Sequence, residues 1–331
     1  MLAMYPNMES RLPCRVSVIV PNYNHAPYLE RRFESIFGQT YQDFEVIILD
    51  DCSKDNSREV LEKYRNHPKV SQFVYNENNS GSTFKQWNKG VALAKGEYIW
   101  IAESDDEAAP DFLETLVPKL DENPNVGISY CESLLINDKS EGMYSAGDWS
   151  SGFDKTHWCH DFVVSGIEEC SKYMILFNSI PNASAVLFRK NIFHKAGGAS
   201  INMKLCGDWM TWMNMLIISD LAFSSSQLNL YRWHDKSIRL TVNHAEICKE
   251  YFILKSSFFK KININKNSIK WIQNELLMKW QNSIYQDQKN CSTLWFLVIF
   301  LNALKFDFWF YKKILFDYLK IKINNFKKIF N

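Results

Sequence analysis

The sequence predicts an α/β fold in which helices flank a mixed, mainly parallel sheet, followed by a C-terminal helical appendage. Two observations support this prediction. From Val16 to about Tyr130, short uncharged runs typical of buried strands alternate with segments of helical spacing, and such alternation indicates βαβ units. Beyond about His244, apolar residues recur at helical spacing and no strand pattern is evident.

Strand-like runs in the first hundred residues are followed by polar turns. The runs are Val16–Val20, Glu45–Leu49, Val70–Tyr75 and Tyr98–Ala102. Segments with apolar residues three or four apart follow the first three runs and predict helices there. Because the carboxyl ends of parallel strands share one edge of a sheet, the turns should meet at the edge where ligands bind in open α/β folds.

The fourth run stops abruptly at Glu103, Asp105 and Asp106, and Pro110 then marks a probable helix start. Neighbouring carboxylates repel one another, so a divalent cation between them is one explanation of the cluster. The alternative is a solvated acidic turn in which Asp106 or Asp111 caps the next helix. Both interpretations are open at this point.

The remaining chain predicts further elements and a division into two regions. We expect a helix over 110–120, strands over 126–130, 180–188, 221–224 and 228–231, a long loop over 136–165, and a helix from Gly207. We predict a catalytic domain over 1–243, with halves of about 14–132 and 133–243, and a helical region over 244–331.

Composition limits the class of protein. The 331 residues are 46% hydrophobic and 23% charged, which is ordinary for a globular protein. The net charge of +1 gives no general attraction to nucleic acid. Eight scattered cysteines without a Cys-x-x-Cys pair indicate reduced thiols, and no signal peptide is apparent. We therefore expect a cytoplasmic protein.

Four motifs together carry a family resemblance. They are Val16–His25 (VSVIVPNYNH), Gln39–Asp51 (QTYQDFEVIILDD), Ala94–Tyr98 (AKGEY) and Glu103–Asp106 (ESDD). In order and approximate spacing they resemble the signatures of the family 2 glycosyltransferases. The resemblance is dense from Arg15 to about Leu120, thinner to Arg239 and absent beyond. It implies the GT-A fold, a nucleotide-sugar donor and an inverting transfer.

The resemblance assigns residues to the nucleotide. It implies that Pro21, Asn22 and Tyr23 line the nucleobase pocket and that Asp51 accepts a hydrogen bond from the base. Alternatively, Asp51 is a turn residue of the loop that follows the second strand. Many relatives have Arg before the Asn of the helix preceding the acidic strand, where this chain has Trp87. Lys85 is then the nearby candidate for the diphosphate.

The same resemblance implies a metal site. Asp105 would face ribose or metal, and Asp106 would bind Mg²⁺ or Mn²⁺ against both phosphates. Carboxylates suit such hard cations. His234 is a candidate late contact to metal or phosphate, or an ordinary surface histidine. Glu103 stands where Asp is frequent, and it either reaches the metal through water or solvates the strand end.

The general base is expected on a separate element. Asp208 stands where the family usually has an acidic residue at the start of a helix near the acceptor, and a helix N-cap is its alternative role. In the implied mechanism Asp208 deprotonates an acceptor hydroxyl, which displaces the diphosphate through an oxocarbenium-like state. His157 and His160 offer zinc ligands without a second pair, so a loop near the acceptor is favoured there.

The C-terminal tail combines lysines with aromatic residues. Seven lysines and two aspartates lie between residues 305 and 331, interleaved with phenylalanine, tryptophan and leucine. This composition is typical of a helix at an anionic membrane surface. The alternative is a helix that packs its aromatic residues on the catalytic domain. The first alternative would give peripheral contact with the inner face of the membrane.

We therefore expect a metal-dependent glycosyltransferase that uses a nucleotide sugar, UDP-sugar by default. The acceptor would be a glycan or a lipid-linked molecule, as in surface polysaccharide biosynthesis. A sugar-nucleotide-binding or membrane assembly protein without turnover is the alternative from another class. A sugar-phosphate nucleotidyltransferase is less favoured because no Gly-rich, basic phosphate loop is found near the N-terminus.

Overall fold

A computed structural model describes residues 14–234, 242–287, 289 and 291–329. Within these residues, ten strands form one sheet. The strands are β1 (Val16–Asn22), β2 (Phe44–Asp50), β3 (Val70–Tyr75), β4 (Tyr98–Ile101), β5 (Glu107–Ala108), β6 (Val126–Ile136), β7 (Gly142–Ser145), β8 (Phe162–Val164), β9 (Val186–Arg189) and β10 (Asp220–Arg232).

Helices connect and cover the strands. They are α1 (Ala26–Phe37), α2 (Ser57–Glu62), α3 (Thr83–Leu93), α4 (Phe112–Asp121), α5 (Gly147–Ser150), α6 (Gly166–Glu169), α7 (Lys190–Lys195), α8 (Gly207–Leu216), α9 (His244–Phe258), α10 (Lys266–Gln286), α11 (Thr293–Ala303) and α12 (Phe308–Ile329). A π-helical turn, Cys170–Met174, extends α6.

The order of the main strands is β3-β2-β1-β4-β9-β6-β10-β5. Strands β3, β2, β1 and β4 are parallel, and β6 is parallel to β10. Strand β9 is antiparallel to both of its neighbours, β4 and β6, so β6 and β10 point in the same direction as β4. The predicted mixed, mainly parallel sheet is thus confirmed, with one reversed strand in its middle.

The central strands bury side chains on both faces, which explains their largely apolar sequences. Ile19 and Ile47 pack in one hydrophobic cluster with α3 and α8, whereas Val18 and Val46 pack in a second with α1 and α4. The clusters alternate residue by residue because successive side chains of a strand point to opposite faces. Helices therefore cover both sides of the sheet.

The C-terminal helices belong to the first of these clusters. Phe252, Trp280, Ile299 and Ile314 are buried in the same cluster as Trp212 of α8. The region from His244 onward is helical, as predicted, and it packs against the α/β region rather than projecting from it. Among the described residues, none of the helices combines the length and the hydropathy that a membrane crossing needs.

Three regions differ from the sequence-based expectations. The strand expected over 180–188 is limited to β9, which follows a 3₁₀ turn at Ala183–Ala185. The segment 136–165 is not one long loop, because it contains β7, α5, a 3₁₀ turn and β8. The two short strands expected over 221–231 form the single strand β10, whose register with β6 shifts between Ser224 and Gln227. This irregularity interrupts the alternation of side chains, which explains why the sequence pattern divides there.

A buried hydrogen-bond network explains the motif Ala94–Tyr98. The Ser17 hydroxyl in β1 donates to Glu45 Oε1 of β2 over 2.7 Å, and the backbone N–H of Lys95 donates to the same oxygen over 2.7 Å. The Gly96 N–H donates to Ser17 Oγ over 2.8 Å. A Cβ atom at Gly96 would lie 2.6 Å from the backbone nitrogen of Ser17, so this position accommodates only glycine.

We predict that Gly96→Ala lowers the free energy of unfolding by about 1–3 kcal/mol, because the added methyl group overlaps the backbone of β1. Gly142→Ala is the matched control, since its Cβ would meet only the flexible side chain of Leu134 at 3.3 Å. Urea unfolding of both variants measures the difference. Equal stability of the two variants would contradict the close approach of the turn to β1.

Candidate active site

A cleft of ≈ 600 Å³ opens at the carboxyl edge of the sheet. It lies where β1, β2 and β4 end, and α8 supplies its far side. Eight of the nine predicted site residues line it, namely Pro21, Asn22, Tyr23, Asp51, Asp105, Asp106, Asp208 and His234. The fold therefore brings together residues that are more than two hundred positions apart in the chain.

Asp51 organises the end of the cleft that β1 and β2 form, where the nucleotide is predicted to bind. Its carboxylate accepts hydrogen bonds from the Ser80 N–H at 2.9 Å, from the Ser80 hydroxyl at 2.7 Å and from Gln86 Nε2 at 2.9 Å. Asp50, rather than Asp51, makes the local turn contact, because its Oδ2 accepts from the Ser53 N–H at 3.1 Å. Asp51 thus positions the loop before α3, and its contact with a base stays a prediction.

The wall beside Asp51 offers both an aromatic surface and polar atoms. The Tyr23 side chain is 43% exposed at the cleft. Within the described residues, Asn22 Oδ1 and Gln86 Oε1 are buried without a hydrogen-bond partner. Buried polar atoms are normally satisfied, so these two oxygens indicate that a bound ligand or water completes the wall.

Asp105 lies between two histidines. His25, Asp105 and His234 each present a possible ligand atom, and these atoms lie within 4.8 Å of one another. His234 Nε2 is 3.0 Å from Asp105 Oδ2, and this hydrogen bond raises the pKa of His234. Burial opposes the ionisation of Asp105, but His25 and His234 outweigh it and lower the pKa of that carboxyl.

The chemistry of this group fits a divalent transition metal. Two imidazoles and a carboxylate suit Mn²⁺, whereas Mg²⁺ prefers an all-oxygen environment. His25 Nδ1 is 2.8 Å from the Ser104 hydroxyl, so its Nε2 is the atom that faces away from this contact. Of the predicted ligands, Asp105 and His234 belong to the group, and His25 is a third member that the sequence interpretation did not assign.

Asp106 is positioned differently from Asp105. Its Oδ1 accepts from the Arg232 N–H at 2.8 Å, and its Oδ2 accepts from Asn182 Nδ2 at 3.0 Å. Burial and the charge of Asp105 raise the pKa of Asp106. These contacts join the end of β4 to β10 and favour a structural role. Coordination of a metal by Asp106 stays a prediction.

Glu103 and Trp87, the two departures from the family pattern, contact each other. Trp87 Nε1 donates to Glu103 Oε1 over 2.7 Å, and the Thr83 hydroxyl donates to the same oxygen over 3.2 Å. Burial, followed by the charge of Asp105, raises the pKa of Glu103 to about 8. Glu103 is therefore neither a solvated strand end nor a second full negative charge at neutral pH.

Asp208 is the second residue of α8 and not its N-cap, which is Cys206. Its Oδ1 accepts from the Trp209 N–H at 2.7 Å, and its Oδ2 accepts from Asn178 Nδ2 at 3.3 Å. The preceding Gly207 lies against Phe84 of α3, where a Cβ would be 2.3 Å from the ring. The close contact brings the first turn of α8, and hence Asp208, to the cleft.

The lysine that lines the cleft is not the one that the sequence predicts. Lys85 does not line the cleft, and its Nζ donates to the Ser80 carbonyl over 3.0 Å. Lys204, just before α8, does line the cleft. No sequence signal pointed to Lys204, because a single lysine in an irregular segment has no distinguishing pattern. A phosphate contact by Lys85 stays a prediction.

The segment from His157 to His160 has another role than metal binding. His157 Nε2 is 3.0 Å from Glu169 Oε2, and its ring stacks on Phe162 and Tyr173. In the described part of the chain, no grouping of three metal-ligand side chains includes either histidine. The favoured alternative to zinc, a loop near the acceptor, stays a prediction.

Solved structures are similar in fold. The S. aureus TarS 1–349 structure in complex with UDP-GlcNAc matches with a TM-score of 0.65 and 19% identity, over 88% of this chain and 82% of that chain. The mannosyltransferase PcManGT from Pyrobaculum calidifontis, in complex with GDP-Man and Mn²⁺, has a TM-score of 0.53 and 15% identity, over 89% and 86% of the two chains. The fold is therefore that of the GT-A glycosyltransferases.

Sequence comparisons give the family. The model of glycosyl transferase family 2 matches residues 17–169. An uncharacterized glycosyltransferase of Rickettsia typhi is 29% identical over 251 residues, 75% of this chain and 72% of that protein. Poly(ribitol-phosphate) beta-N-acetylglucosaminyltransferase TarS of Staphylococcus aureus is 35% identical over 146 residues, 43% of this chain and 24% of that protein. These matches support a family 2 glycosyltransferase.

The different contacts of the two neighbouring aspartates are testable. We expect Asp106→Asn to lower the free energy of unfolding by about 1–3 kcal/mol. Both oxygens of Asp106 accept hydrogen bonds, so the NH₂ group of an asparagine would face a donor and leave it unsatisfied. Asp105→Asn is the matched variant, and its free energy of unfolding should decrease less. Mn²⁺ should no longer raise the melting temperature of this variant. Thermal unfolding with and without Mn²⁺ measures both. A stable Asp106→Asn protein without a Mn²⁺ response would make Asp106 the ligand.

Proposed function

We propose that this glycosyltransferase transfers a sugar from a UDP-sugar to an acceptor hydroxyl with inversion, and that it depends on Mn²⁺. The main support is the joint position of Tyr23, Asp51, Asp105 and Asp208 around one cleft. Binding of the donor, charge cover for the diphosphate and activation of the acceptor all need groups in one cavity. UDP-N-acetylglucosamine is the first donor to test, because the TarS complex contains it.

The nucleotide occupies the end of the cleft formed by β1 and β2. Tyr23 packs against the base, and Asn22 Oδ1 accepts a hydrogen bond from it. Asp51 accepts a hydrogen bond from the base. It also holds the loop that contains Ser80 in place. This arrangement orients the donor so that its anomeric carbon faces the opposite side of the cleft, where α8 begins.

Mn²⁺ is the cofactor that the group of His25, Asp105 and His234 would bind. When bound, the metal supplies Lewis-acid stabilisation for the departing diphosphate. The pKa of Asp105 is lowered, so its carboxylate carries the negative charge that a cation needs, and a bound cation would displace any proton from the two imidazoles. Glu103 adds little repulsion, because its pKa is raised to about 8 and Trp87 donates to it.

Asp208 activates the acceptor. Its Oδ2, the oxygen with the longer contact to Asn178, accepts the proton of the acceptor hydroxyl. The hydroxyl oxygen then forms a bond to the anomeric carbon while the bond from that carbon to the diphosphate oxygen breaks. The electron pair leaves with the nucleoside diphosphate, and the proton stays on Asp208 until solvent removes it. A single displacement of this kind inverts the anomeric carbon.

The acceptor is a hydroxyl of a surface glycan or of a lipid-linked precursor. Support comes from the similarity to TarS, which is a poly(ribitol-phosphate) beta-N-acetylglucosaminyltransferase. Lys204 at the cleft wall gives a positive charge on the Asp208 side. Such a charge suits an acceptor chain that carries phosphate groups.

We also propose that the C-terminal helices contact an anionic membrane surface. The inner face of α11 is buried through Trp295 and Ile299. Its outer face exposes leucines at helical spacing, namely Leu294, Leu297, Leu301 and Leu304. On α12, Phe310 and Ile314 pack inward, whereas Trp309 is 77% exposed and Phe316 is 68% exposed. The inner faces of the helices thus support packing on the rest of the protein, and the outer faces support contact with a membrane.

Positive charge accompanies this exposed apolar face. Lys305, between α11 and α12, and Lys313 and Lys320 of α12 are exposed. Apolar side chains at the headgroup layer and lysines against anionic lipids are the combination that binds a helix in the plane of a membrane. The occupant that fits this face is therefore an anionic lipid surface.

Donor binding and turnover can be separated by one variant. We expect UDP-N-acetylglucosamine with Mn²⁺ to raise the melting temperature of both the wild type and Asp208→Asn, because the variant retains the nucleotide end. Transfer should fall by about 10²–10⁴-fold in the variant, because the general base is lost. GDP- and dTDP-sugars serve as comparison donors, and EDTA should abolish the response. Full activity of Asp208→Asn would disprove the assignment of the base.

Membrane contact is tested by cosedimentation with vesicles. We expect Leu301→Glu to weaken binding to vesicles of phosphatidylglycerol and phosphatidylcholine by about tenfold, because a charge replaces an exposed leucine that would insert into the lipid. Ile218→Glu is the matched control, since Ile218 is 48% exposed and Leu301 is 54% exposed. Vesicles of phosphatidylcholine alone should bind less protein. Equal binding by the two variants would contradict membrane contact through the exposed face of α11.

A further inference from the structure

Helix α9 buries two charged side chains where the α/β region meets the C-terminal helices. Glu250 and Lys255 both have no exposed surface. Buried charges are costly unless they are paired and hydrogen-bonded, so their partners indicate what they do. Their partners lie in the two segments that carry Asp208 and Asn178.

Glu250 binds the segment directly before α8. Its Oε1 accepts from the Lys204 N–H at 2.5 Å, and its Oε2 accepts from the N–H groups of Leu205 at 2.9 Å and Cys206 at 2.8 Å. Three consecutive backbone donors therefore converge on one carboxylate. Asp208 follows two residues later, and the negative charge of Glu250 also lies favourably at the N-terminal end of α8.

Lys255 binds the segment that leads to Asn178. Its Nζ donates to the carbonyls of Ile175 and Leu176, each over 2.6 Å, and forms an ion pair with Glu275 of α10 at 3.2 Å. Asn178, two residues further, donates to Asp208 Oδ2. Lys255 therefore fixes the backbone from which the amide partner of Asp208 projects.

Trp209 connects the two contacts. Lys255 Nζ lies 4.6 Å from the centroid of the Trp209 ring, and Tyr251 contacts the same ring edge-on at 5.5 Å. Trp209 Nε1 donates to the Met174 carbonyl over 2.8 Å. The residue next to Asp208 is thus enclosed by α9 and by the segment that Lys255 binds.

We propose that Glu250 and Lys255 are positioning residues for Asp208, and that α9 is consequently part of the transfer site. This inference rests on the proposed role of Asp208 as the base. Neither residue touches the donor cleft, and both act through backbone groups that fix the carboxylate of Asp208 and its partner Asn178. A base displaced by about 1 Å loses about 10²-fold in rate.

The test compares Glu250→Gln with Phe252→Leu, which disturbs α9 on its other side. Phe252 is fully buried, and its ring faces Phe310 of α12. In full-length protein with UDP-N-acetylglucosamine and Mn²⁺, the release of UDP with water as acceptor gives kcat and KM. We expect Glu250→Gln to lower kcat by about 10–100-fold with the donor KM changed less than about threefold, as for a displaced base. Phe252→Leu should lower the melting temperature and keep kcat.

Hydrogen exchange gives a second readout that does not depend on turnover. Exchange at the amides of residues 204–208 should accelerate in Glu250→Gln and stay at the wild-type rate in Phe252→Leu. Unchanged exchange in Glu250→Gln, or a kcat equal to that of Phe252→Leu, would overturn the inference. If Glu250→Gln does not fold, Lys255→Met is judged by the same kcat comparison, with exchange measured at 175–178.

Asp208→Asn in the same assay distinguishes the proposed role of Asp208 as the base from the proposed positioning role of Glu250 and Lys255. Turnover at the wild-type rate by Asp208→Asn would overturn the proposed base, and the positioning role would fall with it. An inactive Asp208→Asn beside a fully active Glu250→Gln would overturn the positioning role alone. An inactive Asp208→Asn with impaired Glu250→Gln and Lys255→Met supports both.

Discussion

The acidic end of β4 imposes the constraint on which the site depends, because three carboxylates in four residues cannot all be buried as unpaired charges. The structure gives each a different partner. Glu103 is bound by Trp87, Asp105 lies beside His234, and Asp106 accepts the N–H of Arg232. Arg32 adds a fully buried positive charge whose nitrogens have no hydrogen-bond partner within the described residues. The acidic end of β4 is therefore stabilised by residues of three other elements, α1, α3 and β10.

The sequence predicted the parts of the fold that follow local rules. Buried strands, helical spacing and polar turns located the sheet edge, and the family resemblance collected most of the cleft residues. Adjacent carboxylates look alike in a sequence, however, so the difference between Asp105 and Asp106 depends on what each faces in three dimensions. His25 was visible within its motif, but its proximity to His234 depends on the fold. Glu250 had no signal, because its partners are backbone groups.

The C-terminal helices combine two properties that their composition alone did not separate. Their inner faces extend the core beneath α8, with Trp280 and Trp295 stacked at 5.4 Å, while their outer faces expose leucine, aromatic and lysine side chains. Helix α9 lies between these layers, since Ser256 donates to Asn302 of α11 over 2.6 Å. The surface proposed for lipid and the segment before Asp208 are thus separated by a single helix.

The contact between Gly207 and Phe84 has a consequence for recombination among relatives. Phe84 follows the loop positioned by Asp51, and Gly207 precedes Asp208, so one van der Waals contact joins the proposed nucleotide side of the cleft to the proposed acceptor side. A chimera that takes its donor half from one enzyme and its acceptor half from another keeps this fit only when the residue facing the aromatic ring is again glycine. Crossover points chosen solely by domain boundaries would ignore this pairing.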